Sequence, residues 1–169
     1  MNSESASALP HEPRLNRALR TMLHTQRVAA LGTLNTDGEP FVSMVPFAIE
    51  PQSGALIIHV SLLAPHTRNL FSNPAVSVMV MQSEVPGEPV HALPRVSLDG
   101  IAGRLLPEST SWLAARSAYL ARFPDAQMMT ELGDFSFVAI VVTQARQVAG
   151  FGSARPLEPE DIASVLKPL

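Results

Sequence analysis

Residues 27–50 read RVAALGTLNTDGEPFVSMVPFAIE. Asp37-Gly38 lies between two β-type runs, the strongest short-range signal for a hairpin turn. Pro46, late in the second run, implies an edge, a bulge or a bend there. The turn PQSG at 51–54 leads into a third run, ALIIHVS, and a fourth occupies residues 75–82. RVSLDGIAGRL at 95–105 reads as a fifth strand, with FSFVAIVVTQ and RQVAGFG as the last. Strands joined by short turns pair antiparallel, and so many of them favour closure into a barrel. Residues 64–72 are too few for a comfortable parallel crossover, which excludes a βαβ array. The expected fold is mainly β with helices, an α+β barrel of six or seven antiparallel strands.

The helices are inserted between these strands. Leu15, Leu19, Met22 and Leu23 follow a helical spacing, and Pro13 suits a first turn, which predicts a helix over 12–26. Trp112, Ala115, Tyr119 and Phe123 recur every three or four residues and predict another over 109–123. A short helical piece follows Pro124, and EPEDIASVL suits a short terminal helix. Pro86, Gly87 and Pro89 make residues 83–93 a loop.

The chain has 169 residues, which suits one domain. Residues 1–10 read as a disordered Ser/Ala-rich leader and 11–169 as the domain. Hydrophobic residues make up 46% and charged residues 16%, so apolar surface is left over for a partner subunit. A net charge of −3 without a Lys/Arg run disfavours nucleic acid as a partner. The absence of cysteine removes disulfides, thiolate ligands and thiol nucleophiles. The N-terminus lacks the features of a secretory signal, and no apolar run reaches the roughly 18 residues of a membrane span. The expected location is the cytoplasm, with no membrane partner.

Chemical motifs are sparse. The five histidines show no zinc spacing, so no metal site is assigned. The strand-to-helix serine elbow of hydrolases is missing. GFGSAR at 150–155 lacks a third glycine and a following helix, so it reads as a rim bend rather than a dinucleotide loop. In SLLAPHTRNLFSNP at 61–74, Pro65 suits a first helical position. The free N–H groups of His66 and Thr67, the Thr67 hydroxyl and the charge of His66 or Arg68 are what an anionic phosphate needs, although local physics by itself favours a plain capped helix start. Trp112 and Tyr119 read as core or dimer contacts, Met79 and Met81 as packing, and Asp99-Gly100 as a bulge.

The order of these parts resembles the pyridoxamine 5′-phosphate oxidase-like, FMN-binding split-barrel superfamily, and within it the haem-utilisation branch. The likeness rests on LHTQRVAALGTLNTDGEPFVSMVPFAI, VSLLAPHTRNLFSNPAVSVMV, PRVSLDGIAGRL, YLARFPDA, DFSFVAIVV and QVAGFGSAR, which together span about residues 14–156. The resemblance implies a six-stranded split β-barrel acting as a homodimer, with FMN at the interface. It implies flavin contacts at Ser43, Met44, Val45 and Pro46, at His59, Val60 and Ser61, and at Arg95. It places the phosphate near His66, Thr67 and Arg68. The oxidases carry an Arg-Lys pair where this chain has Pro65-His66; the haem-utilisation branch carries the HTRNL pattern, which is intact here. The implied activity is a flavin-dependent oxidoreductase of a small-molecule substrate, with no acid or base assigned. The alternatives are a non-enzymatic flavin or haem binder and a haem-degrading oxygenase-like protein, in which His24, His59, His66 or His91 ligates iron.

Overall fold

Asp37-Gly38 turns the chain as expected. The strands β1 (Val28–Leu34) and β2 (Pro40–Pro46) pair antiparallel, with Val28 opposite Pro46 and Leu34 opposite Pro40. Gly38 supplies the left-handed φ of 87° that the turn needs. The computed structural model describes residues 13–168, so the leader expected at 1–10 lies outside the described residues.

The other elements follow in chain order. Helix α1 (Arg14–Thr25) precedes the hairpin; β3 (Ala48–Ile49), β4 (Leu56–Ser61), α2 (Pro65–Ser72) and β5 (Ala75–Met81) come after it. Then come β6 (Arg95–Arg104), α3 (Thr110–Arg122), β7 (Phe135–Val148), β8 (Ala154–Pro156) and α4 (Pro159–Val165). Single 3₁₀ turns lie at Val90–Ala92, Pro124–Ala126 and Met128–Glu131.

The strands form one eight-stranded sheet in the order β2-β1-β5-β6-β7-β4-β3, with β8 on β7. Every pairing is antiparallel. The sheet curls, because its two edge strands are one stretch of chain: β2 runs into β3 through Phe47, whose N–H donates to the Arg27 carbonyl. The expected six strands are therefore corrected to eight. Pro46 splits the second run into two strands, because it cannot donate to a ladder. The two last runs fuse into the 14-residue β7, since no breaker stands between them. The expected rim bend at GFGSAR holds a turn and a short strand, β8. The register between β6 and β7 does shift at Asp99-Gly100, but the extra residue is Thr143 on β7: Asp99 faces Gln144 and Gly100 faces Val142.

Inward side chains of the curled sheet make the main core. Leu31, Val45, Leu56, Ile58, Val60, Val78, Leu98 and Ile140 meet Leu19 and Leu23 of α1, Leu70 of α2 and Val165 of α4. A second cluster lies outside the sheet, where Ala115 and Tyr119 of α3, with Phe123 just past its end, cover Ile57 and Phe137. Ser109 caps the start of α3: its hydroxyl accepts from the Trp112 N–H at 3.2 Å.

One expected core position is exchanged for a polar one. Leu15 is exposed, and Asn16 is buried instead. Asn16 donates to Asp161 at 2.6 Å and accepts from Arg155, which also donates to Gln147 at 3.0 Å. This network ties α1 and α4 to β7 and β8, and it satisfies groups that burial would otherwise penalise.

Arg122 closes the other end of α1. Its Nη2 donates to the carbonyls of Leu23 and Gln26, and its guanidinium lies 5.2 Å from the centre of the Phe47 ring. Helix C-terminal carbonyls lack partners of their own, and a cation there is favoured. Arg122→Ala is expected to lower the unfolding free energy by about 1–3 kcal/mol in urea titrations. Arg122→Lys should recover only part, because an ammonium can serve the carbonyls but has no planar face to lay on Phe47.

Candidate functional site

Strands β1 and β5 meet over a short seam, where Ala30, Leu31 and Gly32 face Met79, Val78 and Ser77. The close approach uses glycine: a Cβ on Gly32 would lie 3.3 Å from the Ser77 carbonyl oxygen. Beyond the seam the strands part, and a cleft opens at each end. One, of about 530 Å³, is lined by Val28, Ala30, Met44, Met79, Met81, Val90 and Leu93, with Gln26, Ser83 and Glu84 at its edge. The other, of about 520 Å³, lies among Gly32, Leu34, Pro40, Ala75, Ser77 and Ile101. Both are sized for a small organic molecule.

The outer face between the clefts is apolar and uncovered. Val42 is 68% exposed and Met44 65%, with Val28, Met79, Met81 and Ile101 also open. Strand alternation explains this: Ala29, Leu31, Val76, Val78 and Val80 face the core, so their apolar neighbours must face out. Scattered exposed hydrophobics need no explanation, but a contiguous stripe marks a binding face. Met79 and Met81 share one face as expected, yet that face is open rather than packed. A larger cleft of about 760 Å³ beside the start of α3 carries hydroxyls of Ser109, Thr110 and Ser111. It holds none of the expected site residues.

Those residues fall into separate places. Of the β2 stretch, Met44 and Pro46 point to the open face, while Val45 packs in the core and Ser43 faces inward beside Leu31. The Ser43 hydroxyl is buried without a partner among the described residues. Arg95 pairs with Met81 in register, so both side chains leave the open face. Its Nη1 donates to the carbonyl of Leu93 at 3.0 Å, at the cleft edge. Val60 is in the core, whereas His59 and Ser61 lie on the outer side of β4.

The expected anion cradle on α2 is corrected. Thr67 is 1% exposed. Its hydroxyl donates to the Ser61 carbonyl at 2.6 Å, and its N–H to that of Ala64 at 3.1 Å. Neither donor is left for a phosphate. Arg68 points to solvent, and burial lowers the pKa of His66, which keeps that ring neutral. The Thr67 hydroxyl ties α2 to β4, and the Asn69 amide ties it to Thr33 of β1 and to Asn35 just beyond, each at 3.0 Å.

His59 lies against Phe137, Phe135 and Tyr119, with ring centres 4.4, 4.9 and 5.8 Å away. Burial pushes its pKa down to about 4 from the ordinary 6.5. Because the folded value is the lower one, the unfolded chain takes up the proton first as pH falls. The contribution is full above pH 6.5 and is lost toward pH 4. Urea midpoints are expected to drop across that window, and His59→Phe to flatten the drop.

The sequence reading missed Val28, Val42, Val90 and Leu93. For Val28 and Val42 the signal was present: the runs VAALGTL and PFVSMVP carry apolar residues on both faces, the mark of strands covered on both sides.

The profile of the CREG β-barrel family matches residues 12–163. The chain is 28% identical over 150 residues to the heme oxygenase HutZ of Vibrio cholerae, covering 88% of this chain and 84% of that protein. It is 35% identical over 138 residues to the chloroplastic heme oxygenase HOZ of Arabidopsis thaliana, covering 80% of this chain but 40% of that one. A heme binding protein from Mycobacterium smegmatis superposes with a TM-score of 0.80 at 32% identity, covering 91% of this chain and 62% of that one. The resemblance to the haem-utilisation branch therefore holds. The expected FMN cofactor and flavin oxidoreductase activity are overturned, because these relatives are named for haem. The chain belongs to the CREG β-barrel family, on its haem-utilisation side.

Proposed function

We propose that this chain binds haem on the open sheet face, in the cleft between β1 and β5, as a haem oxygenase-like protein. The observation that carries this is the cleft lined by Val28, Ala30, Met44, Met79 and Met81, with Arg95 at its edge. Haem is a flat apolar plate with two carboxylates. Apolar walls and thioethers suit the plate, and the free guanidinium nitrogens of Arg95 suit a carboxylate. Haem supplies the iron-centred redox chemistry when bound. The residues of the chain orient the plate and keep water from one side of it.

The same face is proposed to pair with a second copy, making a homodimer that encloses the ligand. The support for this is the run of exposed apolar side chains Val28, Val42, Met44, Met79, Met81 and Ile101 on one face of the sheet, the kind of surface a partner covers. The names of the relatives support breakdown of haem as the reaction, with haem as the small-molecule substrate. Haem added to the purified protein should give a shifted Soret band, and that band should fade under ascorbate and air with release of iron. A stable band would restrict the function to binding, and no band shift would remove the haem reading.

A further inference from the structure

We propose that Arg146 holds the second carboxylate of bound haem, paired with Arg95 in a two-arginine seat that fixes how the plate is turned; the proposal rests on the haem reading above. It follows from the register of three neighbouring strands.

Residues directly opposed in an antiparallel pair share a face of the sheet. Met81 of β5 faces Arg95 of β6, and Met79 faces Ser97. Across the next ladder Arg95 faces Val148 of β7, and Ser97 faces Arg146. Two rows therefore cross the open face, Met81-Arg95-Val148 and Met79-Ser97-Arg146. The residues that alternate with them point the other way: Val80, Val96, Leu98 and Ala145 are in the core, and Gln147 is buried. Arg146, between Ala145 and Gln147, thus points outward with the methionines, and it is exposed.

The spacing suits a plate with two acidic arms. Arg95 and Arg146 are diagonal neighbours across the β6–β7 ladder, which sets them roughly 7–8 Å apart at the backbone. Haem carries its two carboxylates side by side on one edge, each on a short flexible arm. At about 4.8 Å per strand, β7 runs roughly 10 Å from β5. A plate lying on Met79 and Met81 with its acidic edge toward β6 brings both arms within reach of long arginine side chains.

Arg146 is also unengaged. Among the described residues its guanidinium takes part in no hydrogen bond, ring contact or ion pair; the ion pairs there join Arg116 to Glu131 and Arg155 to Asp161. Asp99 faces Gln144, which sets it diagonally on the other side of Arg146, yet no ion pair joins the two. With Arg95 alone, one anionic arm would stay unpaired and the plate could turn about the other. A second guanidinium stops that turning and directs the edge without carboxylates toward Val28 and Ala30 of β1. Exposed ion pairs contribute little, but a plate laid over these two shields them from water.

The test titrates ferric haem, and its dimethyl ester with both charges removed, into the wild type, Arg146→Ala, Arg95→Ala and Arg104→Ala. Soret absorption gives the affinity, and the haem methyl resonances in proton NMR give the orientation. Arg104, at the far end of β6 and over the Phe71 ring, is the control and should match the wild type. Arg146→Ala is expected to bind haem about fivefold or more weakly, with more than one set of methyl resonances, and to bind the ester as the wild type does. Arg95→Ala is expected to lose a similar factor, and Arg146→Lys to recover part of the loss by keeping the charge. An Arg146→Ala protein with wild-type haem affinity and one set of resonances would overturn the assignment while leaving haem binding intact. An equal loss for haem and ester would overturn it too, because the charge would then play no part. A wild type that takes up no haem would overturn both readings, so the two failures are told apart.

Discussion

Gly100→Ala is expected to lower the unfolding free energy by about 1–3 kcal/mol, and Gly100→Val to prevent folding. A Cβ at Gly100 would stand 2.5 Å from the Val141 carbonyl oxygen and 3.0 Å from Cγ2 of Ile140. The first obstacle is backbone in the middle of β7, so it cannot rotate away. The crowding falls at the bulge, where β7 carries the extra residue Thr143 and the register shifts between Asp99 and Gly100. The cost is one of room, since Gly100 is not among the glycines with positive φ. Gly103, on the same strand, makes the control. A Cβ there meets only the Ala139 carbonyl oxygen, at 4.0 Å, so Gly103→Ala should change stability little. Urea unfolding of the three variants would check the ranking, and equal midpoints for Gly100→Ala and Gly103→Ala would contradict it.

Met44→Asp is expected to weaken haem binding about a hundredfold or more and to leave the protein monomeric. Met44 is exposed, so its replacement leaves the core of the fold intact. The loss arises only on binding, when a carboxylate must enter an apolar contact without a partner, which costs several kcal/mol or more. Met128, also exposed but on the 3₁₀ turn Met128–Glu131, is the matching control. Haem titration and sedimentation of Met44→Asp and Met128→Asp separate the two faces. Unchanged affinity in Met44→Asp would move the haem site elsewhere.

Much of the fold was legible because its signals are local. Asp37-Gly38 turns the hairpin, the spacing of Trp112, Ala115 and Tyr119 makes α3, and the register shifts at Asp99-Gly100. What escaped depends on distant partners. Asn16 takes an inward position on α1 because Arg155 and Asp161, far along the chain, satisfy its amide. The site was harder to read for the same reason. Consecutive residues Ser43 to Pro46 were expected along one ligand, yet a pleated strand sends Ser43 and Val45 to the core and Met44 and Pro46 outward. Thr67 looks like a free donor in sequence, but the Ser61 carbonyl six residues back has already taken its hydroxyl. Nothing in the sequence around Val90 and Leu93 announces that their turn comes back beside Met81 and Met44. That placement comes from the pairing of Met81 with Arg95 and the curl of the sheet.

The short seam between β1 and β5 also sets a rhythm of opening. Strand β6 is laddered to β7 from Arg95 to Arg104, so amides there should exchange with deuterium only when the whole domain unfolds. On the facing edges of β1 and β5, only Ala30–Gly32 and Ser77–Met79 guard one another. Edge amides outside that stretch should exchange through small local partings. A molecule seated in either cleft would press on those edges and slow them first. Deuterium uptake along β1 and β5 thus becomes a label-free gauge of occupancy, able to tell which end of the seam is filled.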